Sequence, residues 1–370
     1  MYLSHVLNSK KIATSLILGV FLTFFTLKTY AIQHEEAHSE HAEAHSEHTE
    51  AEAEFNPSEV ILEHIADSHS WHLWGSTSYP LPVILYTDKG LEVFSSAHFE
   101  HGHADYTGKY YTYRLVKDKV HIVGPGEELT AGANPLNMHG KLIDFSITRN
   151  VVSMWLSIAI LLIIFLSVSS AYKKRENKAP KGLQSFIEPI IVFVRDDIAR
   201  PNIGYKYQRF MPLLLTIFFF IWINNLIGLV PFFPGGANLT GNIAVTFVLA
   251  FITLIVVNIN GNKYYWKHIF APDVPVWLYP IMWPVELVGI ISKPFALMIR
   301  LFANITAGHI IVLSLISLIF VFKSASVSLV SVPFVVFMDV LELLVAALQA
   351  FIFTLLTALF IGTAIEEHHH

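Results

Sequence analysis

The chain has 370 residues, of which 54% are hydrophobic and 14% are charged, whereas about a quarter of a soluble globular protein is charged. This balance favours a membrane protein with several spans. The absence of cysteine excludes disulfides, thiol catalysis and cysteine-based metal sites, and short basic clusters beside apolar runs favour lipid head groups over nucleic acid as partners.

The first 31 residues have the pattern of a secretory signal peptide. A lysine pair precedes an apolar run at residues 12–27, and the small residues Thr29 and Ala31 are spaced like a cleavage site. We predict that residues 1–31 are removed, because the run is short for a membrane span; an additional transmembrane helix is the alternative. Cleavage would leave the mature N-terminus outside the cytoplasm.

A segment rich in histidine and glutamate follows at residues 32–54, and the unit EAHSEH occurs in it twice. Nothing in it can form a hydrophobic core, so we predict a solvated, disordered segment. Binding of Zn²⁺ or a similar ion is the alternative, because histidine and glutamate together can collect such ions.

Residues 55–145 predict a small β-rich module, which the signal peptide would make extracytoplasmic. Asp88-Lys89-Gly90 in PVILYTDKGLEVFSS predicts a hairpin, and YYTYRLVKDKVHIVGPG predicts another pair of strands. We interpret the scattered histidines of this region as surface residues, with a metal site as the alternative; they are His64, His69, His72, His98, His101 and His103.

Residues 146–370 predict an all-α, polytopic membrane domain of about five transmembrane helices. The predicted spans are 149–173, two spans within 210–262 that the turn VPFFPGGANLTGN separates, 280–322 and 333–365. The last two exceed the ~20 residues that one span needs, so we expect strong tilt or extension beyond the lipid.

The sequence LQSFIEPIIVFVRDDIAR lies between the first two spans and has apolar residues at helical spacing. This pattern predicts an amphipathic helix at the membrane interface, with a kink at Pro189. Its apolar positions are Leu183, Phe186, Ile187, Ile190, Ile191, Val194 and Ile198.

Lysine and arginine predict the orientation of the spans. The loop after the first span carries five of them between residues 173 and 181, and the loop after the third span carries Lys263 and Lys267. The turn at 231–240 has none, and the turn after the fourth span has only Lys323. The positive-inside rule therefore places the N-terminus outside and the C-terminus in the cytoplasm.

Arg300 stands in the middle of the fourth predicted span, where a cation costs about 2.5–3.5 kcal/mol on insertion scales. The nearest acid earlier in that span is Glu286, about 21 Å of helical rise away, so the counter-charge must come from another helix or another subunit. At about 100° per residue, Glu286, Lys293, Arg300 and Asn304 share one face, and His309 lies on the opposite face.

The last predicted span carries a polar stripe made of Asp339, Glu342 and Gln349. Such residues can act simply as buried polar pairs between helices. A histidine near two carboxylates at membrane depth, however, favours a proton relay, and we therefore take His309, Asp339 and Glu342 as candidate site residues.

Two stretches carry a resemblance to a known family. RLFANITAGH, residues 300–309, resembles the signature of subunit a of F-type ATP synthases, the stator beside the rotating ring of c subunits. ELVGIISKPFALMIRLFANITAGH is similar to the penultimate helix of that family, and LELLVAALQAFIFTLLTALFIGTAIEEH to its last helix and C-terminus. The resemblance covers roughly residues 145–370.

The resemblance implies a proton-translocating stator subunit with two half-channels to the carboxylates of the c ring. Arg300 would be the essential arginine between them, Asn304 and Gln349 would be polar residues near it, and Glu286 would serve inner access. His309, Glu342 and Asp339 would line the outer half-channel. The implied partners are the c-subunit ring, the b-subunit peripheral stalk, the rest of the complex and lipid, in a bacterial inner membrane.

One departure from the family pattern is informative. Many bacterial members carry glutamate where this chain has His309, and histidine where it has Glu342. The pair is reversed here, as in mitochondrial members, which implies that the two residues act as a coupled unit.

A secondary transporter of metal or other ions, fed by the His-rich segment, is the alternative function. It predicts an internal repeat with paired broken helices, and no such repeat is found. For the stator function we expect no cofactor, no bound metal and no catalytic residue, so any enzyme activity would belong to the complex.

Overall fold

The computed structural model describes Ile61 and residues 66–74, 77–102, 104–116, 118–123, 142–174, 179–230, 236–272 and 274–366. The predicted signal peptide and the His/Glu-rich segment lie outside these residues, and both stay predictions.

The N-terminal module is built from short antiparallel strands in three sheets, with strand orders β1-β2, β4-β3-β8 and β5-β6-β7. A 3₁₀ helix at Ser96–Gly102 follows β4. The strands are β1 Ser70–Trp74, β2 Thr77–Pro80, β3 Pro82–Thr87, β4 Gly90–Ser95, β5 Tyr106–Thr107, β6 Thr112–Val116, β7 Lys119–Val123 and β8 Leu142–Asp144.

Both predicted hairpins are confirmed. Thr87 pairs with Gly90 across the Asp88-Lys89 turn, and Gly90 has φ 140°, a backbone conformation that favours glycine. Val116 pairs with Lys119 in the second hairpin, β6–β7. Turn chemistry is local in the sequence, which is why it could be recognised before the fold was known.

Alternate residues of these strands face a small apolar core that includes Val83, Leu85, Phe99 and Tyr113. Glu92 is buried beside this core, where its carboxylate accepts hydrogen bonds from the backbone amides of residues 109 and 110 and from Tyr113 Oη. A buried carboxylate is tolerated when its oxygens are satisfied in this way.

The interpretation of the histidines as surface residues is wrong for His69, which is 4% exposed. Its Nε2 lies 3.4 Å from Asp144 Oδ2 at the end of β8, so the buried imidazole has a carboxylate partner. His98 is exposed, as expected.

Among the described residues, five helical stretches are long and apolar enough to cross a membrane: Arg149–Lys174, Leu183–Leu229, Ile243–Asn260, Tyr279–Val321 and Ser326–Ile365. The prediction of about five transmembrane helices is confirmed. The helices are α1 Arg149–Lys174, α2 Leu183–Phe193, α3 Arg200–Ile203, α4 Tyr207–Leu229, α5 Ile243–Asn260, α6 Lys263–Phe270, α7 Tyr279–Val321 and α8 Ala325–Ile365.

The predicted amphipathic helix is present as α2, and a π-helical turn at Val194–Ala199 continues it toward α3. Ile187, Ile191 and Val194 are buried, whereas Leu183 and Phe186 are exposed, so the apolar residues divide between the protein core and the outer surface. The position of α2 at a membrane interface stays a prediction.

Helices α7 and α8 have 43 and 41 residues, which agrees with the expectation of two long final helices. At 1.5 Å per residue each extends about 60 Å, roughly twice the hydrocarbon thickness. Helix α8 begins at Ala325, eight residues before the predicted start at Pro333. That prediction was wrong because an interior proline is tolerated in a membrane helix, where neighbouring groups satisfy the freed backbone carbonyl.

The central helix α4 packs against both α1 and α8, and α7 packs against α5 and α8. The shared core includes Met211, Leu214 and Ile221 of α4 together with Phe353 of α8. Near the C-terminal end of α8, Gly362 lies against the backbone of Asn202. A Cβ at position 362 would clash with the Asn202 carbonyl. This packing fixes α7 and α8 relative to α4, and the candidate site lies between these three helices.

The module joins α1 through the N-terminus of that helix. The Arg149 guanidinium donates a hydrogen bond of 2.7 Å to the Ala66 carbonyl, and the backbone amide of Arg149 donates to the Ser68 carbonyl. Asp67 accepts a hydrogen bond from the amide of Asn150, which satisfies a free donor of the first helical turn.

Candidate functional site

His309 of α7 and Glu342 of α8 face each other across the interface of the two long helices. Nδ1 of His309 lies 2.7 Å from Oε1 of Glu342, and the two side chains are 17% and 5% exposed. The carboxylate oxygen does not lie along the N–H direction of the imidazole, so the two groups form an ion-pair contact rather than an aligned hydrogen bond. A buried imidazole and carboxylate at this distance can share or exchange a proton.

Gly308 makes room for this pair. A Cβ at position 308 would stand 2.7 Å from Glu342 Oε1 and 2.9 Å from its Cδ, closer than real Cβ atoms approach other atoms. The missing side chain therefore lets the carboxylate lie directly against α7, next to His309.

A narrow polar crevice extends from this pair toward α4 and the turn before α5. Thr240 Oγ1 donates to Asn225 Oδ1 at 2.6 Å, and Asn225 Nδ2 donates to the Ala346 carbonyl of α8 at 3.2 Å. The residues that line the crevice are Asn224, Asn225, Gly228, Leu229, Asn238, Thr240, Ile305, His309, Glu342 and Ala346.

Besides Oε1 of Glu342, two polar atoms of crevice residues have no hydrogen-bond partner among the described residues. They are Oδ1 of Asn224 and Nδ2 of Asn238, whose residues are 1% and 4% exposed. An unsatisfied buried polar group costs about 1–3 kcal/mol, and water is the usual partner of such groups inside proteins. The crevice thus places unsatisfied amide atoms beside the His309–Glu342 pair.

Asp339 lies one turn before Glu342 on α8 and is exposed. It does not line the crevice, but its carboxylate is close enough to Glu342 and His309 to interact with both electrostatically.

Arg300 and Asn304 lie on an outer face of α7, away from the crevice, and both are exposed. Within the described part of the chain, no ion pair involves Arg300. Gln349 of α8 is buried, with 2% of its surface exposed. Arg300 and His309 are nine residues apart on α7, about 13 Å of helical rise, so the structure does not bring the arginine to the His309–Glu342 pair.

Glu286 lies near the start of α7 and belongs to a second imidazole–carboxylate contact. Its Oε2 is 3.7 Å from Nδ1 of His268 on α6, and the side chains of Glu286 and His268 are 24% and 69% exposed. Lys293, one heptad after Glu286, is exposed and lies 5.7 Å from the ring of Phe360.

The sequence interpretation missed Asn224, Asn225, Asn238, Thr240 and His268. The adjacent asparagines in an otherwise apolar helix were a usable signal, because amides at membrane depth are costly unless they find partners. His268 carried no such signal, because it lies in a short polar helix outside the predicted spans. Among the described residues no group of three or more His, Asp or Glu side chains could hold a metal ion.

Fold and site together define a membrane protein with several spans and a polar path that ends on a buried imidazole–carboxylate pair. Residues 151–362 match the sequence profile of the ATP synthase A chain, and residues 60–145 match a domain of unknown function (DUF8433).

Curated relatives extend the same match. The chain is 50% identical over 232 residues to ATP synthase subunit a of Chloroherpeton thalassium, an alignment that covers 61% of this chain and 69% of the relative. It is 48% identical over 235 residues to ATP synthase subunit a 2 of Prosthecochloris aestuarii, covering 61% and 71%. It is 43% identical over 247 residues to ATP synthase subunit a of an Anaeromyxobacter species, covering 63% and 59%.

The chain therefore belongs to the ATP synthase A chain family. It is a multi-pass membrane subunit of an ATP synthase, the proton-channel stator of the membrane sector, and is not itself catalytic. Membership of this family excludes the alternative of a secondary transporter as the main function.

Proposed function

We propose that this subunit provides two half-channels to the carboxylates of a c-subunit ring, and that Arg300 separates them. The observation that carries this proposal is the buried His309–Glu342 pair beside the unpaired amide atoms of Asn224 and Asn238. A proton path needs groups that can accept a proton and pass it on, and the His309–Glu342 pair supplies them.

The outer half-channel consists of this crevice, with Asp339 at its edge. A proton that enters it is accepted by the coupled His309–Glu342 pair. The pair then delivers the proton to a ring carboxylate, which becomes neutral and can turn into lipid. Asp339 lies one turn before Glu342 and interacts electrostatically with both members of the pair.

Arg300 acts on the ring carboxylate from the opposite face of α7. Its exposure within this chain supports a partner outside the chain, because a cation at membrane depth needs a counter-charge. The guanidinium holds an arriving carboxylate ionised, since an opposite charge lowers the pKa of a carboxyl group. It also prevents direct proton flow between the half-channels, because arginine does not deprotonate in proteins.

Asn304 and Gln349 complete the surroundings of Arg300. Asn304 is one turn beyond it on the exposed face of α7, where an amide can hydrogen-bond the ring carboxylate. Gln349 is buried one heptad beyond Glu342 on α8, and there it supports the polar interface of the two helices.

The inner half-channel begins at Glu286, near the start of α7. The ring carboxylate releases its proton there after almost a full turn, and the proton leaves for the cytoplasm. The lysines and arginines counted above support this orientation, with the mature N-terminus and the β-rich module outside and the C-terminus inside a bacterial inner membrane. Contact with a b-subunit peripheral stalk belongs to the same proposal.

The decisive experiment replaces Arg300 in the complete ATP synthase. We expect Arg300→Ala and Arg300→Lys to lower ATP-driven proton pumping in membrane vesicles to background while the complex still assembles. Lysine fails because it is a point charge whose pKa falls readily on burial. Arg209→Lys, at an exposed arginine of α4, is the matched control and should pump normally. Normal pumping by an assembled Arg300→Ala complex would overturn the proposal.

A further inference from the structure

The short helix α6 is held in place at both of its ends. At its N-terminus the Asn262 side chain caps the helix by accepting a hydrogen bond from the backbone amide of Tyr264. The backbone amide of Asn262 donates to the Ala364 carbonyl of α8 at 2.9 Å. At its C-terminus the Phe270 carbonyl accepts a hydrogen bond of 2.9 Å from Trp283 Nε1 of α7. These contacts fix the orientation of α6 against the first turns of α7, where Glu286 lies.

His268 is placed by this arrangement between Glu286 and the solvent. Its Nδ1 is 3.7 Å from Glu286 Oε2, and its side chain is 69% exposed, whereas that of Glu286 is only 24% exposed. The imidazole therefore touches the less accessible carboxylate on one side and solvent on the other. A separation of 3.7 Å is slightly longer than a hydrogen bond, and either a small rotation of the exposed ring or one bridging water closes it.

Tyr265 and several charged groups also lie on α6 or on the helices packed against it. Burial, with a contribution from the charge of Glu286, raises the pKa of Tyr265, so the phenol stays protonated. The charged groups on α6 and on the two helices packed against it are Lys263 and Lys267 of α6, Glu286, Lys293 and Arg300 of α7, and Asp339 and Glu342 of α8, with Glu366 just after α8.

We propose that His268 is the proton-relay residue of the inner half-channel, which exchanges protons between Glu286 and the cytoplasmic water. This inference rests on the proposed role of Glu286. During synthesis the neutral imidazole accepts at Nδ1 the proton that Glu286 releases, and the resulting imidazolium loses a proton to water. During ATP-driven pumping the same two transfers run in reverse. Histidine is the side chain best suited to take up and release protons near neutral pH, so one residue can serve both directions.

The test uses inside-out membrane vesicles that contain the whole ATP synthase, because ATP-driven pumping then takes protons from the medium through the inner half-channel. We expect His268→Gln to slow pumping by roughly three- to tenfold at about pH 8, where free protons are scarce, and to change it little at about pH 6. Glutamine keeps the size and polarity of an exposed side chain but cannot carry the proton. As a second measurement, imidazole added to the medium should restore part of the rate of His268→Ala.

Two variants serve as controls. Lys267→Gln removes a neighbouring cation but keeps the imidazole, and it should retain the pH profile of the parent complex. His98→Gln replaces an exposed histidine of the β-rich module and should pump as the parent does. A loss at high pH that Lys267→Gln reproduces would overturn the relay in favour of a general electrostatic effect.

Glu286→Gln separates this inference from the proposed function on which it rests. Impaired pumping by Glu286→Gln together with a parental profile for His268→Gln would overturn the relay and leave the role of Glu286 intact. Normal pumping by Glu286→Gln would overturn the role of Glu286 and the relay together. Impairment of both variants, with a double variant no worse than Glu286→Gln, is the result expected for two residues on one path.

Discussion

Two imidazole–carboxylate pairs touch the long helix α7, and they differ in burial and in distance. The His309–Glu342 pair is separated by 2.7 Å with side chains 17% and 5% exposed, whereas the His268–Glu286 pair is separated by 3.7 Å with side chains 69% and 24% exposed. Charges interact more strongly in a water-poor interior than near bulk solvent. The buried pair is therefore suited to act as one coupled unit, and the exposed pair is suited to exchange protons with water.

The positions of the two pairs on α7 support the arrangement of offset half-channels. Glu286 and His309 are 23 residues apart, which corresponds to about 34 Å of helical rise and is close to the thickness of the hydrocarbon core. Arg300 lies between them, nearer to His309. In the proposed function a proton has a polar group at each of these two positions and a permanent cation between them, so passage would require a carrier that moves past the arginine.

The largest effect on proton pumping is expected from the more buried pair, because its two side chains should be the more strongly coupled. His309→Ala and Glu342→Ala should each slow ATP-driven proton pumping by roughly 10²-fold, because either change breaks the same buried step. The double variant should be little slower than the more severe single variant, since effects on one shared step do not add. Pumping rates at matched abundance of the complex give all three values.

Exchange of the two side chains sharpens this test. The variant with both His309→Glu and Glu342→His keeps one imidazole and one carboxylate in the crevice, and it should recover more activity than His309→Glu alone. Additive losses in the double alanine variant, together with no recovery in the exchanged variant, would mean that the two residues act independently.

A smaller effect is expected from moving the Glu342 carboxylate without removing it. Gly308→Ala would place a Cβ 2.7 Å from Glu342 Oε1 and force the carboxylate away from its present position, so pumping should fall roughly tenfold. Addition of Glu342→Asp shortens the acidic side chain and should recover part of the rate.

Gly289→Ala is the matched control for this variant. It introduces the same methyl group on the same helix, but a Cβ at residue 289 meets no other atom within 4 Å. If both glycine variants pump equally well, close contact between α7 and the carboxylate is not required, and the pair depends on its chemistry alone.

Much of this architecture could be predicted from local patterns. The five apolar helices followed from hydropathy, and the hairpin at Asp88-Lys89 followed from turn chemistry, because both signals are contained in a few neighbouring residues. The charged candidates Arg300, His309 and Glu342 stood out because a charge in an apolar run is costly.

The remaining features depend on how distant segments meet. Asn224 and Asn238 belong to the site only because α4 and the following turn pack beside α7 and α8, which no pattern within either segment specifies. The contact of His268 with Glu286 depends on the path of residues 271–278, which turns α6 back against α7. The burial of His69 likewise required the distant Asp144 as its partner.

The smallest effect on pumping is expected from a third imidazole–carboxylate pair. This pair contains a buried histidine but lies outside the membrane helices, so we do not expect burial alone to place a histidine on the proton path. His69 and Asp144 lie in the β-rich module at its junction with α1, and His69 is 4% exposed. Burial lowers the pKa of His69, but Asp144 together with the charges of Asp67 and Asp118 outweighs burial and raises this pKa overall. Burial likewise opposes ionisation of Asp144, but His69 and hydrogen bonds from Ser146 lower the pKa of this carboxyl group overall.

The signs of these two shifts define a pH window for the junction. The raised pKa of His69 stabilises the folded junction below about pH 6.5, and this contribution is lost as the pH rises through the folded-state pKa. The lowered pKa of Asp144 stabilises it above about pH 4, and this contribution is lost as the pH falls through the folded-state pKa. Burial raises the pKa of Asp67 despite its hydrogen bonds with Thr148 and Asn150, so Asp67 also weakens the junction as the pH rises from about 4.

We therefore expect hydrogen exchange at β8 and the first turn of α1 in the intact complex to be slower at about pH 5.5 than at about pH 8, after correction for intrinsic rates, by roughly two- to fivefold. His69→Gln should reduce this difference, because it removes the contribution of the His69–Asp144 pair, and it should leave proton pumping unchanged. His98→Gln, at an exposed histidine of the same module, should keep the full difference. Slower pumping by His69→Gln at normal abundance would show that this pair also acts on the proton path, and the distinction drawn here between the module and the membrane helices would fail.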